Sequence, residues 1–155
     1  MNYLIIGASG LVGGNLYNYL NDLDEDTVIG TFNTFQKKNL IHLDTGLPVE
    51  DWNKEILNFN PDAVVFCGGL IHVEKCEEDE ESSFERNILA FQNTLSYCRI
   101  KKSKLVYMST DYVFDGENGP YSEDAIKNPL SIYGKHKSDA EEILIKSKLE
   151  YLILR

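Results

Sequence analysis

The tightest constraint on this chain is the string GASGLVG, Gly7 to Gly13. It stands between an apolar run, Tyr3 to Ile6, and a stretch whose apolar residues fall at helical spacing (Leu11, Val12, Leu16, Tyr19, Leu20). A strand that breaks on glycine and turns at once into a helix opens a βαβ unit. The next strand must then lie parallel to the first, because the helix carries the chain back to the starting edge.

The remainder of the chain keeps that alternation. Thr27 to Ile29 is β-branched and reads as a second strand, and Leu40 to Leu43 as a short third. Trp52, Ile56, Leu57 and Phe59 mark a helix that Pro61 stops. Ala63 to Phe66 is a fourth strand, ended by Gly68 and Gly69. Phe84 to Ile100 has the spacing of one long amphipathic helix (Phe84, Ile88, Leu89, Phe91, Leu95, Cys98). Leu105 to Met108 is a fifth strand, a helix runs from near Ser131 to Lys148, and Tyr151 to Leu154 is a sixth strand. Strands alternating with helices predict an α/β fold, a Rossmann-type doubly wound parallel sheet in three α/β/α layers. Right-handed crossovers give the order 3-2-1-4-5-6, with a ligand crevice at the carboxyl ends of the strands.

Composition narrows the function classes. The 155 residues make one domain, and 43% hydrophobic with 26% charged content is that of a globular protein. A formal net charge of -10 argues against nucleic acid and against anionic membrane as partners. No apolar run approaches the roughly 18 residues of a membrane span, and the N-terminus lacks the basic region of a signal peptide. A cytoplasmic location is the default expectation. Cys67, Cys76 and Cys98 match no zinc spacing and, with His42, His72 and His136 scattered, no metal site is expected. The acidic run Glu77 to Glu81 reads as a solvated helix N-terminus. Trp52 reads as a core residue.

The glycine loop has a chemical meaning in this setting. Gly7 permits the tight turn out of the strand, Gly10 lets a pyrophosphate approach the backbone, and Gly13 lets the helix pack closely on the sheet. The free N–H groups of the helix start, with those of Ser9, Leu11 and Val12, then offer an anion site. The pattern is the G-x-x-G-x-x-G variant of the dinucleotide fingerprint. An NAD site usually places an acid at the end of the second strand, where this chain has Gly30, Thr31, Phe32 and Asn33, and no acid occurs between Thr27 and Leu43. Thr31 at that strand end is a candidate cofactor contact, and Lys37 or Lys38 can pair with a 2′-phosphate. NADP(H) is the preferred cofactor and NAD(H) the alternative.

Tyr133 and Lys137, in YGKHK, are one helical turn apart on a shared face. A nearby lysine lowers a tyrosine pKa, and a tyrosine so tuned exchanges a proton with a carbonyl oxygen. Alone the pair reads as an ordinary surface Tyr–Lys pair. The segment STDYVFDG, Ser109 to Gly116, starts where the fifth strand ends, and Thr110 there offers a second hydroxyl to the same oxygen.

With the glycine loop, this strand-end hydroxyl and the Y-x-x-x-K in this order, the chain resembles the extended short-chain dehydrogenase/reductases. STDYVFDG followed by PYSEDA and NPLSIYGKHK is most similar to the dTDP-4-dehydrorhamnose reductases and their relatives. The resemblance implies reduction of a 4-keto group on a nucleotide-linked deoxysugar, with Thr110, Tyr133 and Lys137 catalytic. It implies that Asp44 and Thr45 lie near the adenine, that Cys67, Gly68 and Gly69 lie beside the cofactor ribose, and that Asp111 stands at the substrate edge. Asn87 is expected either to bond the backbone near the site or to be a plain surface residue. Family members carry a substrate domain after the sixth strand, so the chain reads as a truncated or split form; a bare apolar sixth strand then favours self-association, and a homodimer is the protein partner this reading allows. Two alternatives stand beside the reductase. One is a non-catalytic NADP-binding subunit resembling the regulatory subunit of methionine adenosyltransferase. The other is a sugar-nucleotide epimerase, which needs tightly held NAD.

Overall fold

A computed structural model describes residues 1–23 and 25–155. Six parallel strands form one sheet in the order β3-β2-β1-β4-β5-β6, as the crossover argument requires. The strands are β1 (Asn2–Ile6), β2 (Thr27–Phe32), β3 (Ile41–His42), β4 (Ala63–Phe66), β5 (Lys104–Met108) and β6 (Tyr151–Leu154). The helices are α1 (Leu11–Asp22), α2 (Lys54–Asn58), α3 (Val73–Glu78), α4 (Glu80–Phe84), α5 (Ala90–Lys101) and α6 (Ile132–Lys146).

The alternation of side chains along each strand sorts the core into two. Leu4, Ile6, Val64, Phe66, Leu105 and Tyr107 face one side, where they pack with Ile56 of α2, Phe91 and Leu95 of α5, and Leu144 of α6. Ile5 and Val65 face the other, against Leu16 and Leu20 of α1. On that second face the register sets Leu152 beside Val106 and Leu154 beside Met108, and both leucines stand exposed. Trp52 is buried against Tyr97, as a core residue should be.

Several elements differ from the sequence expectation, among them α2, which leaves Trp52 and Phe59 outside it, and α3, unforeseen in the sequence. Strand β2 does not stop at Ile29 but continues through Gly30 to Phe32. Gly30 is there because Tyr17, Leu40 and Ala8 crowd it so closely that a Cβ would come within 2.6 to 2.9 Å of them. Strand β3 is shorter than Leu40–Leu43, with only Ile41 and His42 paired to β2. The long helix expected over Phe84–Ile100 begins earlier, at α4, and carries a π turn over Glu85–Leu89. A π turn adds a residue to one turn and shifts the inward face. Phe84 and Leu89 consequently point outward, and the polar Ser83 and Asn87 are buried instead. The acidic run likewise is not one helix start: it ends α3 and opens α4, with Asp79 capping Ser82 and Glu77 accepting the Ile132 N–H at the start of α6.

Candidate active site

The connections from β1 through β3 step one way along the sheet, and those from β4 to β6 step the other. The reversal leaves a crevice between the carboxyl ends of β1 and β4, the position at which such sheets take ligands. Both loops there are glycine-bearing and they touch. Gly7 holds φ +85, and a Cβ on it would lie 2.9 Å from the Cys67 carbonyl carbon. At Gly13 a Cβ would lie 2.6 Å from the Gly7 oxygen, so helix α1 packs where only glycine fits.

Gly10 differs from both. Its backbone is extended (φ -80, ψ -179), and a Cβ would meet only the Gly7 oxygen, at 3.4 Å. The protein's own packing therefore does not demand glycine there. Helix α1 starts on Gly10 with no side-chain cap and no acid in its first turn, so its leading N–H groups have no side-chain partner. Leu11 and Val12 beside them are 82% and 52% exposed, an unusual outlay of apolar surface around a polar helix end. Lys37 lies across this start, its Nζ 3.9 Å from the position of a Gly14 Cβ.

Not every residue named from sequence opens onto the crevice. Thr31 is only 1% exposed, and its hydroxyl accepts the Gly7 N–H at 3.4 Å. It supports the turn from beneath and has no surface left for a ligand. Asp44 and Thr45 follow β3, where the Asp44 carboxylate accepts the Gly46 N–H at 2.9 Å. Asn93, unforeseen in the sequence, anchors this segment by donating to the carbonyls of Thr45 and Leu47. Ser9, Cys67 and Gly68 are half-buried and Gly69 is exposed at the crevice.

Asn87 is no surface residue. It is 3% exposed, accepts the Leu70 N–H at 2.9 Å and donates to the Leu70 carbonyl at 3.0 Å. The π turn carries it inward, and through that pair it holds the Gly68–Leu70 segment.

The third wall is the end of β5 with the start of α6. Ser131 caps α6 by accepting the Gly134 N–H, and Gly134 itself sits where a Cβ would be 2.4 Å from the Tyr112 oxygen. That close approach brings Tyr133 to the Thr110–Tyr112 turn, with the rings of Tyr112 and Tyr133 edge to face at 5.9 Å. Thr110 caps the turn by accepting the Tyr112 N–H, and its hydroxyl donates to exposed Asp111 at 3.2 Å. Burial raises the Tyr133 pKa, while the neighbouring Thr110 hydroxyl pulls it back.

Lys137 makes its hydrogen bond away from Tyr133. Its ammonium turns toward β5, donates to the Met108 carbonyl and lies 4.3 Å from the centre of the Tyr107 ring. It is 5% exposed, and desolvation holds its pKa down at about 8. Burial also pushes the neighbouring Cys67 thiol up to about 11, so that side chain is an unreactive thiol at neutral pH.

A residue with no sequence signal ties this wall together. Glu141, fully buried on α6, accepts from Ser109 Oγ, from Lys127 at 3.2 Å and from Arg155 at 2.9 and 2.8 Å. Burial alone would raise its pKa; the hydrogen bonds from Arg155, Ser109 and Lys127 prevail and lower it. Among the described residues no group of three or more His, Cys, Asp or Glu side chains can hold a metal ion, and no helix is long and apolar enough to cross a membrane.

Known proteins share this fold. Residues 1–155 match the family described as the RmlD substrate binding domain. Methionine adenosyltransferase 2 subunit beta of Mus musculus is 32% identical over 156 residues, which cover 98% of this chain and 45% of that protein. The crystal structure of a hypothetical dTDP-4-dehydrorhamnose reductase from Sulfolobus tokodaii superimposes with a TM-score of 0.85 at 32% identity, over 99% of this chain and 54% of the other. That of a dTDP-4-dehydrorhamnose reductase from Bacillus anthracis in complex with NADP has a TM-score of 0.83 at 27% identity, over 98% of this chain and 51% of the other. The chain thus spans about half the length of these relatives.

Proposed function

Since this chain belongs, over its whole length, to the RmlD substrate binding domain family, we propose that it is the cofactor-binding and catalytic half of an NADPH-dependent reductase of a nucleotide-linked 4-keto deoxysugar. The observation that carries the cofactor reading is Gly10: glycine at a site with room for a side chain, facing uncapped helix N–H groups. A bound pyrophosphate accounts for both. Gly7, Ser9 and Leu11 to Gly13 complete the cradle. Asp44 and Thr45 are assigned to the adenine end, and Cys67, Gly68 and Gly69, held by Asn87, to the ribose. The preference for NADP(H) over NAD(H) rests on Lys37 beside the loop and on the absence of an acid at the end of β2.

Reduction adds a hydride to the carbonyl carbon and a proton to its oxygen, and the bound nicotinamide supplies the hydride. Tyr133 gives its hydroxyl proton to the oxygen, and Thr110, turning its one hydrogen away from Asp111, donates a hydrogen bond to the same atom. Burial keeps Tyr133 protonated before the reaction, which suits an acid. Lys137 keeps its charge beside both and, with only one of its three N–H donors engaged by Met108, holds the ribose hydroxyls. Asp111 takes the substrate edge, and enclosure of the sugar nucleotide is assigned to sequence outside these 155 residues.

The likeness to methionine adenosyltransferase 2 subunit beta supports a second reading, a cofactor-binding partner subunit. The presence of Thr110, Tyr133 and Lys137 around one crevice favours catalysis. The complete protein is to be assayed for NADPH oxidation with dTDP-4-dehydrorhamnose, beside calorimetric titrations of NADPH and NADH. Turnover with tighter NADPH binding is expected. Cofactor binding without turnover would move the assignment to the partner subunit, and absence of dinucleotide binding would overturn both.

A further inference from the structure

Beyond Asn87 the hydrogen bonding continues inward. Asn87 Nδ2 donates to Ser83 Oγ at 3.3 Å, and Ser83 Oγ lies 2.8 Å from His136 Nδ1. The three side chains are buried: Ser83 0%, Asn87 3% and His136 7% exposed. The chain of bonds begins on α6, between the positions of Tyr133 and Lys137, crosses α4 and the π turn, and ends on the backbone of Leu70 beside Gly68 and Gly69.

Its direction follows from what each group is able to give. The Leu70 N–H only donates, so the Asn87 oxygen must face it and the Asn87 amide must face the Leu70 carbonyl and Ser83. Ser83 Oγ receives that amide hydrogen, which leaves its own hydrogen for one acceptor. The acceptor within reach is His136 Nδ1, so that nitrogen is bare and the ring proton sits on Nε2. Burial holds the His136 pKa below its ordinary value, against the pull of Glu80 and Asp139, in keeping with a neutral ring. The half-exposed Phe84 ring lies edge to face with it, centroids 5.9 Å apart.

We propose that His136 and Ser83 are positioning residues, which orient the Asn87 amide and through it hold the Gly68–Leu70 loop at the cofactor crevice. With Ser83 turned by His136, Asn87 has both amide hydrogens engaged and its oxygen fixed toward Leu70. Without that acceptor, the Ser83 hydroxyl hydrogen loses its partner, and the oxygen that receives the Asn87 amide is no longer held in place. The consequence for ligand affinity rests on the cofactor reading above; the consequence for the loop does not.

Three measurements separate these. Nitrogen-15 spectroscopy of the histidine rings should show His136 as the neutral Nε2–H tautomer. Amide exchange at Leu70 should rise roughly 3- to 10-fold in Ser83→Ala and His136→Leu, the scale of one lost buried hydrogen bond, while Val64 to Phe66 of β4 keep their protection. His136→Asn, whose side-chain oxygen stands near the Nδ1 position, should restore Leu70 to near the parent rate. The NADPH dissociation constant should rise by a similar factor in the first two variants and return in the third. A proton on Nδ1, or Leu70 exchange that is unchanged or raised only in step with all of β4, would overturn the positioning role. A loosened Leu70 with unchanged NADPH affinity would overturn its link to the cofactor. A parent protein that binds no dinucleotide would instead refute the cofactor reading, with the exchange data still deciding the loop.

Discussion

Gly10 and Gly13 are three residues apart in one motif, and the structure assigns them different physical duties that two alanine variants can separate. In Gly13→Ala the new Cβ lies 2.6 Å from the Gly7 oxygen, 3.0 Å from the Gly7 carbonyl carbon and 3.2 Å from the Ala8 Cα. All three are backbone atoms, so helix α1 must back away from the sheet. Backbone cannot give way as a side-chain end can, so overpacking here falls in the upper part of its range, about 2–3 kcal/mol, and the better helix propensity of alanine returns about 1. A net loss of about 1–2 kcal/mol lowers Tm by roughly 2–8 °C in a domain of this size. In Gly10→Ala the Cβ meets one atom at 3.4 Å, and the extended backbone suits any residue. Alanine is the poorer helix cap by about 0.5 kcal/mol, and its stiffer unfolded chain offsets that by about 0.4–1, so Tm should hardly move. The methyl group does, however, occupy the approach of the pyrophosphate to the N–H groups. Loss of one hydrogen bond to a charged oxygen, about 1.5–3 kcal/mol, weakens NADPH binding roughly 10- to 150-fold. Calorimetric titration and differential scanning calorimetry on both variants give the two quantities. Undiminished NADPH affinity in Gly10→Ala would refute the argument from open space, and an unchanged Tm in Gly13→Ala would refute the argument from close packing.

Other outcomes follow from the same geometry. In the complete protein, Tyr133→Phe should cut turnover by roughly 10² to 10⁴ and leave NADPH affinity within about twofold; near-normal turnover would remove Tyr133 from the chemistry. The Lys137 cation should strengthen NADPH binding below pH 8 and lose that effect as pH rises through about 8, a break that Lys137→Met should abolish. Its effect on stability has the opposite sense. Between pH 8 and about 10.4 the unfolded chain keeps a proton that the folded chain has lost, so this residue makes stability rise with pH there. Glu141→Gln leaves Arg155 and Lys127 facing a neutral group and should cost about 3 kcal/mol in urea unfolding at pH 7. The Glu141 pKa is lowered on folding, so its contribution is present above pH ~4.3 and fades as pH falls through the folded value. The gap between parent and variant should therefore narrow in acid, and a constant gap would contradict the ionised carboxylate.

The framework of the molecule, and the placing of the glycine turn, Thr110 and the Tyr133–Lys137 pair at one sheet edge, were legible in the chain. Strand runs, the glycine turn and the Tyr133–Lys137 spacing are set by residues within a turn or two of one another, and local sterics act at that range. The order of the strands was legible too, because each crossover has one hand and the sheet has one parallel sense. The lower edge of that range shows at Gly30, which looks like a strand end until Tyr17 and Leu40 are found packed upon it.

What only the tertiary structure decided are the polar pairings between distant segments. Glu141 meets Ser109 and Arg155, Asn93 meets Thr45, and Ser83 meets His136 across 53 residues of chain. None has a periodicity, because each exists to satisfy a buried donor or acceptor that packing alone creates. The same accounting explains Thr31, whose hydroxyl serves Gly7 and not a ligand, and Lys137, whose ammonium answers the Met108 carbonyl and the Tyr107 ring before it answers Tyr133. Sequence by itself determined which segments meet at the crevice; the fold decided which of their side chains open onto it and where their hydrogens point, since a hydrogen bond depends on ångström-scale distance and direction that residue spacing does not encode.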